Sequence, residues 1–244
     1  MAYTVFLKGE TIDLCVPNKS AIEDGWADWF NAAEVTKSMG HGIFPNLKEN
    51  QEAFFQEIVD RRRLVLLICD KSGLLKGAIS LSSLDFVAGT CQISLVFGEK
   101  QNPKRLSQLE AMALMTEHAF EKMRMERVWA GQAYPAMRKF NHLLETIGYR
   151  AEGISRDGFI KGLSHSDTVQ ISCTVKDYLR IKSNRASLWG GNDYMMEIMK
   201  NRPPKSIAEQ IQPILAKYQE EQFLEWERIE NQVKLRFSNN PQAE

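Results

Sequence analysis

Residues 127–175 constrain the fold of this 244-residue chain more than any other stretch. They form an ordered series: a strand-like run over 127–133, a helical pattern over 135–147, a Gly-Tyr-Arg-Ala-Glu-Gly segment over 148–153, and a β-branched run over 167–175. Hydrophobic periods of two and of 3.6 residues distinguish the strands from the helix. The order strand, helix, strand, strand predicts an α/β chain whose sheet carries helices on its faces.

The chain before residue 127 supplies more strands and helices. Residues 4–16 read as a strand broken at 8–10, and residues 64–69 form a continuous apolar run, typical of a strand covered on both faces. Ser20 and Glu23 form a capping-box pattern, which predicts the start of a helix. We expect these further elements: a second helix opening at 46–49, strands over 77–84 and 91–97, and a helix over 107–123.

Composition narrows the class of protein. Lys and Arg number 31 and Asp and Glu number 31, so the formal net charge is zero and no global field attracts nucleic acid or an anionic membrane. No apolar run approaches the roughly 20 residues of a membrane span, and residues 1–10 lack a signal-peptide pattern. The cysteines are far apart with no Cys-x-x-Cys pair, which favours buried free thiols over disulfides or a metal site and fits a reducing cytoplasm: Cys15, Cys69, Cys91 and Cys173.

Taken together, motifs along residues 4–175 resemble the GNAT acyltransferase superfamily. The resemblance rests on the 148–153 segment, on residues 29–46 with their Gly-His-Gly-Ile-Phe-Pro-Asn loop, and on the strand pair at 77–98. These motifs look like the branch that modifies protein N-termini and nucleotide-linked amino sugars. The resemblance implies a domain over residues 1–180 with an α/β fold, a mixed, largely antiparallel sheet flanked by helices.

The same resemblance implies a function. It is an N-acyltransferase that moves an acetyl group from acetyl-coenzyme A to an amine on an amino sugar or a protein. In such enzymes a carboxylate or imidazole takes the amine proton, and a backbone N–H at a strand end stabilises the oxyanion. By position, Val96, Phe97 and Gly98 would face the thioester and the pantetheine arm.

The segment that should hold the pyrophosphate departs from the family pattern. Residues 99–110 contain no glycine, although bare backbone N–H groups at a helix start are what such sites offer to phosphate. Ser107 and Glu110 form a capping box, which predicts that they satisfy those N–H groups internally. Lys104 and Arg105 are candidates to hold phosphate by charge, with Ser107 beside them; the alternative is a solvated basic turn.

Two further positions depart from the pattern. Members of the family commonly have an Asn near the cofactor arm. Counting back from Gly148, that position is occupied by Met137 here, so Asn141 would take the role only with a shift of about one helical turn. Gln92 stands where an acidic residue is common, and an amide cannot act as a base. These departures favour an alternative of another class, a catalytically inactive GNAT fold that serves as a structural or assembly protein.

Three residues are candidates for the base that accepts the amine proton. His41 lies between two glycines, and an imidazole titrates near neutral pH; alternatively, it is an exposed loop histidine with a local hydrogen bond. Glu99 follows the fourth predicted strand and Asp85 the third, where each could meet the acceptor or be an ordinary strand-end charge. No cluster of side chains indicates a metal site.

The pattern changes beyond residue 180. Residues 181–204 read as a linker, and residues 205–244 as a helical extension that begins at a Ser206–Glu209 capping box. Because an isolated helix needs a packing partner, this extension either folds back on its own core or pairs with a second copy or another protein, which suggests an oligomer. Its apolar residues recur at three- and four-residue steps with a gap at Gln222: Ile207, Ile211, Ile214, Tyr218, Trp226, Ile229 and Val233.

Overall fold

The computed structural model describes residues 3–98 and 106–238, which form an eight-stranded sheet in the order β1-β2-β3-β4-β5-β6-β8-β7. Neighbouring strands are antiparallel except β5 and β6, which are parallel. The predicted mixed, largely antiparallel sheet is confirmed. Its strands are β1 Val5–Lys8, β2 Ile12–Cys15, β3 Leu64–Asp70, β4 Leu75–Asp85, β5 Thr90–Phe97, β6 Arg127–Tyr134, β7 Arg150–Lys161 and β8 Ser164–Thr174.

Helices cover both faces of the sheet. A π-helical turn, Ile22–Trp26, leads into the short N-terminal helices on one face, and α4 and α5 pack on the other. No helix within residues 3–98 and 106–238 is both long enough and apolar enough to cross a membrane. The helices are α1 Ala27–Trp29, α2 Ala33–Thr36, α3 Lys48–Val59, α4 Ser107–Glu121, α5 Arg138–Glu145, α6 Val175–Arg185, α7 Asn192–Lys200 and α8 Ile207–Ser238.

Strand β3 lies between two hydrophobic cores. Leu66 and Ile68 join the larger core under α4, whereas Val65 and Leu67 join the smaller core under the N-terminal helices. Alternate side chains of a strand point to opposite faces, so a strand buried on both faces needs apolar residues at every position. The continuous apolar run at 64–69 is therefore confirmed as a doubly covered strand.

The cysteines also lie where the sequence predicted. All four are buried free thiols. Burial raises the pKa of the Cys91 thiol to about 12, so this thiol stays protonated and packs as a small apolar group.

Glu110 does not cap its own helix, so the predicted capping box at the start of α4 is wrong. Its carboxylate is fully buried and accepts the backbone N–H groups of Glu10 and Thr11, the latter at 2.9 Å, together with the Thr11 hydroxyl. A Cβ at Gly9 would lie 2.6 Å from Glu110 Oε1, so the β1–β2 turn can approach the carboxylate only because residue 9 is glycine. Glu110 thus fastens α4 to the β1–β2 turn.

Residues 181–204, predicted as a linker, contain much ordered packing. Helix α6 is capped by Thr174, whose hydroxyl accepts the backbone N–H of Asp177, and it continues to Arg185. Leu188, Trp189 and Met195 are buried in the larger core, and the Trp189 indole donates to Glu10 Oε2 at 2.9 Å. These contacts join the segment to the compact body of the protein.

Replacing Glu110 with alanine should destabilise the fold by about 2–4 kcal/mol, because three donors at the β1–β2 turn would lose a buried charged acceptor. Urea unfolding followed by circular dichroism measures this free energy. Glu52→Ala, at an exposed position of α3, is the matched control and should stay within about 0.5 kcal/mol of the unmodified protein. Equal stability of the two variants would contradict the role given to Glu110.

Candidate functional site

Strands β5 and β6 separate partway along their length. Within residues 3–98 and 106–238 they pair only at Thr90–Arg127, Cys91–Val128 and Gln92–Trp129, so the rest of β5 has β4 on one edge and no described strand on the other. The Gly98 N–H donates to the Lys76 carbonyl on β4 at 3.0 Å. Because peptide groups alternate in direction along a strand, those of Leu95 and Phe97 point into the gap. This gap, which we call the parting, offers unpaired backbone donors and acceptors to a ligand.

The three strand-end residues predicted to face the acyl donor lie along the parting. Val96 is buried in the smaller core, and Phe97 packs against the larger one. Gly98 touches the Trp29 indole: a Cβ there would lie 2.5 Å from Trp29 Nε1. The strand end therefore needs a glycine to accommodate the tryptophan.

Asn141 reaches the parting from α5. Its side chain is buried and donates at 3.2 Å to Oε1 of Gln132, which lies on β6 beyond the last pair with β5. Among the described residues, nothing donates to its buried Oδ1. A buried amide oxygen without a partner costs about 1–3 kcal/mol, so it is a place where a ligand N–H would fit. The amides of a pantetheine arm have this chemistry. Asn141, about one helical turn beyond the position of Met137 that the family pattern indicates, is therefore the candidate for this contact.

The start of α4 meets a segment outside the described residues. Ser107 is buried, and its hydroxyl lies 3.3 Å from that of Thr11. Leu106 precedes the helix and supplies no side-chain cap, and Glu110 is bonded to the β1–β2 turn. The predicted internal capping of this helix start is thus replaced by contacts with another part of the chain. Glu99, Lys104 and Arg105 lie outside the residues that the structure describes.

A cavity of about 120 Å³ lies on the face of the sheet opposite α4 and adjoins the parting. Ser94 and Val96 of β5 form one wall, and His41 and Phe30 form another. The His41 ring packs on Phe30 with 4.8 Å between ring centroids. The predicted imidazole and the predicted strand end are therefore brought into one site. Its lining is Trp26, Phe30, Met39, His41, Phe54, Arg63, Val65, Ala78, Ile79, Ser80, Ser82, Ser94, Leu95 and Val96.

A larger cavity, of about 400 Å³, lies on the other side of the 36–42 loop, against the β7–β8 hairpin. Lys161 spans from this hairpin to the loop, where its ammonium donates to the carbonyls of Thr36 and, at 3.0 Å, His41. Among the residues that the structure describes, no carboxylate lines either cavity. The larger cavity is lined by Asn31, Ala33, Thr36, Lys37, Gly42, Phe159, Lys161, Ser164 and Ser166.

The surroundings of His41 favour a neutral imidazole. His41 is exposed overall, but partial desolvation of its ring by neighbouring residues lowers the pKa of His41 below its ordinary value of 6.5, and the positive charges of Lys161 and Arg63 lower it further. A neutral imidazole at physiological pH can accept a proton. The site thus holds a group in the protonation state that a base requires.

Asp85 is not brought to this site. Its carboxylate accepts the backbone N–H groups of Val87 and Ala88 at 2.9 and 2.8 Å, and it stabilises the β4–β5 turn. Asp85 pairs with Thr90, at the closed end of the β5–β6 pair, and Phe97 lies seven residues further, or about 23 Å along the strand. The Asp85 carboxylate therefore stabilises a turn, and it lies at the opposite end of β5 from the place where a base is expected.

The contact of Lys161 with the 36–42 loop was not predicted from the sequence. Lys161 lies 120 residues from the carbonyl it holds at His41, and a lysine beside the Gly162 turn has the ordinary appearance of a solvated hairpin charge. No local pattern distinguishes a lysine that donates to three backbone carbonyls from one that points into water.

Solved structures of acetyltransferases have this fold. The spermidine N-acetyltransferase of Vibrio cholerae, solved with CoA and spermine, matches with a TM-score of 0.63 and 13% identity over 70% of this chain and 99% of that one. A probable acetyltransferase matches with a TM-score of 0.61 and 21% identity over 70% and 96% of the two chains. A GNAT-family acetyltransferase of Bacillus anthracis matches with a TM-score of 0.59 and 19% identity over 70% and 99%.

No protein-family model and no curated protein sequence matches the chain. At these identities the structural likeness establishes the fold, and it confirms the GNAT-like fold predicted from the sequence.

Replacing Lys161 with alanine should release the 36–42 loop, because three backbone carbonyls lose a common donor. Hydrogen exchange of the 36–42 amides should accelerate about tenfold or more, since one charge-assisted contact is worth about 1.5–3 kcal/mol. Lys37→Ala removes an exposed ammonium from the same cavity and should leave exchange unchanged. Equal exchange in both variants would contradict the holding role of Lys161.

Proposed function

We propose that this protein is an N-acyltransferase that moves an acetyl group from acetyl-coenzyme A to an amine. The observation that carries the proposal is one cavity that brings His41 together with Ser94 and Val96 of β5, beside the parting from β6. An acyl transfer of this kind needs a strand edge to hold the donor and a base on the acceptor side. Both are supplied here by elements that meet across one sheet.

The residues on the two sides of the sheet would have different tasks. Acetyl-coenzyme A, when bound, supplies a thioester whose acetyl group forms an amide with the amine while the thiol of coenzyme A leaves. The peptide groups of Leu95 and Phe97 would bind the pantetheine amides, as an added strand binds a sheet edge. The unpartnered Oδ1 of Asn141 would accept one further N–H.

His41 would accept the proton that the amine loses. Its ring lies against Phe30 at one wall of the cavity, and Lys161 holds its backbone carbonyl at 3.0 Å. The positive charges that lower its pKa also keep it neutral when the amine approaches. Ser80 and Ser94 line the same cavity and provide hydroxyls that could orient the acceptor.

The charge of the cavities favours one class of acceptor. Lys37, Lys161 and Arg63 line them, whereas no carboxylate of the described residues does. Lys37 and Arg63 are paired with Glu34 and Glu57, which lie outside the lining, whereas Lys161 contacts backbone carbonyls. Coulomb repulsion, chiefly from Lys161, makes this lining a poor site for a polyamine such as the spermine in the Vibrio cholerae structure. Ammonium, amide and hydroxyl groups suit an amine on a hydroxyl-rich or phosphate-bearing molecule, so an amino sugar linked to a nucleotide fits better than a polyamine. A protein amine is the other acceptor that the sequence resemblance implies.

A second candidate function is a GNAT fold without catalysis that serves assembly. Two observations favour it: the segment 99–110 has no glycine, and much of α8 projects from the body with apolar side chains exposed. On this view the parting is a remnant, and the protein acts through α8. Binding of acetyl-coenzyme A distinguishes the two candidates.

Isothermal titration should detect acetyl-coenzyme A binding to the full chain, with Asn141→Ala binding about tenfold more weakly, the equivalent of about 1.4 kcal/mol for one lost hydrogen bond. Asn231→Ala, at an exposed position of α8, is the matched control and should bind like the unmodified protein. Absence of binding at millimolar protein would reject the acyltransferase proposal in favour of the assembly role.

Acetyl transfer to a nucleotide-linked amino sugar should depend on a group with a pKa below 6.5. Protonated His41 cannot accept a proton, so kcat/KM should fall as pH falls through the lowered pKa of His41 and stay level above it, apart from the titration of the acceptor amine. The His41→Gln variant should no longer show this fall at low pH, and its kcat/KM should be about 100-fold lower.

His165→Gln is the control for that profile. Ser164 and Ser166 of β8 line the larger cavity, and His165 lies between them in sequence. Because neighbouring side chains of a strand point to opposite faces, the His165 imidazole lies on the face of the hairpin away from that cavity. This variant should keep both the rate and the acidic limb. An unchanged profile in His41→Gln would exclude His41 as the base.

A further inference from the structure

Helix α8 leaves the body of the protein after its first turns. Ser206 and Ala208 are buried, and the Ile207 N–H donates to Glu145 Oε1 on α5 at 2.7 Å. The helix then passes β7. Ile211 and Leu215 are half-buried, whereas beyond Leu215 the described side chains are exposed except Ile229, which is half-buried. At 1.5 Å per residue, the 32 residues of α8 span about 48 Å, and more than half of that length lies beyond the body.

A stripe of side chains, apolar except at Gln222, runs along the helix from Ile211 to Phe237. Its positions follow steps of 4, 3, 4, 4, 3, 4 and 4 residues, an 11-residue repeat that keeps a stripe on one face of a nearly straight helix. The first two members pack near the body of the protein, and the stripe continues uncovered: Tyr218, Trp226, Val233 and Phe237 are 63, 60, 42 and 73% exposed. The stripe consists of Ile211, Leu215, Tyr218, Gln222, Trp226, Ile229, Val233 and Phe237.

The uncovered part of the stripe is symmetric about its own midpoint, between Glu227 and Arg228. A two-fold axis at this point pairs Tyr218 with Phe237, Gln222 with Val233, and Trp226 with Ile229. Every stripe position from 218 to 237 thus meets another stripe position when the helix is laid antiparallel on a copy of itself. Such self-complementarity is what a two-fold interface requires, because residue i must contact j wherever j contacts i.

Charges follow the same axis. Residues on one flank of the stripe stay on that flank when the helix is laid antiparallel on a copy of itself. On one flank, Glu225 then lies at nearly the height of Arg228 of the second copy, and Glu221 at nearly the height of Arg236. On the other flank Glu227 comes near Glu230 of the second copy, and Glu230 has a cation of its own helix, Lys234, at 3.9 Å. Opposite charges thus meet along one flank, and charge supports the antiparallel arrangement together with apolar contact.

We propose that residues 218–237 of α8 pair antiparallel with the same segment of a second copy and make the protein a homodimer. Burial of the stripe supplies the packing partner that an isolated helix of this length needs. The inference is independent of acyl transfer, since it rests on a helix outside the cavities described above.

Analytical ultracentrifugation of the full chain tests the proposal. At micromolar concentrations the protein should sediment at twice its 27.9 kDa. The double variant Trp226→Glu, Ile229→Glu should weaken the dimer by at least 100-fold and sediment as a monomer. Leu224→Glu places the same charge on the opposite face of the helix, at an exposed leucine, and should remain dimeric. Circular dichroism checks that all variants keep the fold.

Cross-linking tests the direction of the pair. Tyr218→Cys mixed with Phe237→Cys should form an intermolecular disulfide under mild oxidation, whereas Tyr218→Cys alone should not, because the two copies of residue 218 would lie about 28 Å apart. A 27.9 kDa monomer for the unmodified protein, a dimer that survives the double variant, or a Tyr218→Cys homodimer cross-link would each overturn the proposal. If the unmodified protein is a monomer, the stripe is a surface for a different protein and not for a second copy.

Discussion

The separation of β5 from β6 is the constraint on which the rest of the site depends. The strands pair at only three positions before they separate, while β5 keeps its full ladder with β4 and β6 keeps its ladder with β8. A sheet with unpaired edges in its middle carries backbone groups that need partners. The parting is therefore either a binding edge or a costly defect. The buried Asn141 Oδ1 beside it, which has no donor among the residues that the structure describes, favours a binding edge.

Contacts distant in sequence hold this arrangement in place. Glu110 binds α4 to the β1–β2 turn, and Glu10 in that turn accepts the Trp189 indole. Lys161 binds the 36–42 loop to the β7–β8 hairpin in the same way. Each contact is charge-assisted and partly shielded from water, which makes it stronger than a surface ion pair. Lys161 thus fixes the loop that separates the two cavities, and Glu110 fixes the helix on the other face of the sheet.

The sequence predicted what local patterns encode and missed what distant partners decide. The run at 64–69 was a reliable sign of a doubly covered strand because hydrophobic pattern follows burial directly. The Ser107–Glu110 pattern was misleading, since a glutamate three residues into a helix can serve a cap or a tertiary partner equally well, and the β1–β2 turn takes it here. Asn141 lies beside the parting, where its role toward a cofactor stays a prediction, whereas Asp85 has its hydrogen bonds in a turn of its own.

We propose above all that the parting binds acetyl-coenzyme A through the backbone of β5. Residue-resolved hydrogen exchange tests this claim most directly. With saturating acetyl-coenzyme A the amides of Leu95 and Phe97 should exchange more slowly, because they gain acceptors, while those of Val87 and Ala88 in the distant turn should not change. Unaltered exchange at Leu95 and Phe97 in the presence of the bound ligand would contradict the account.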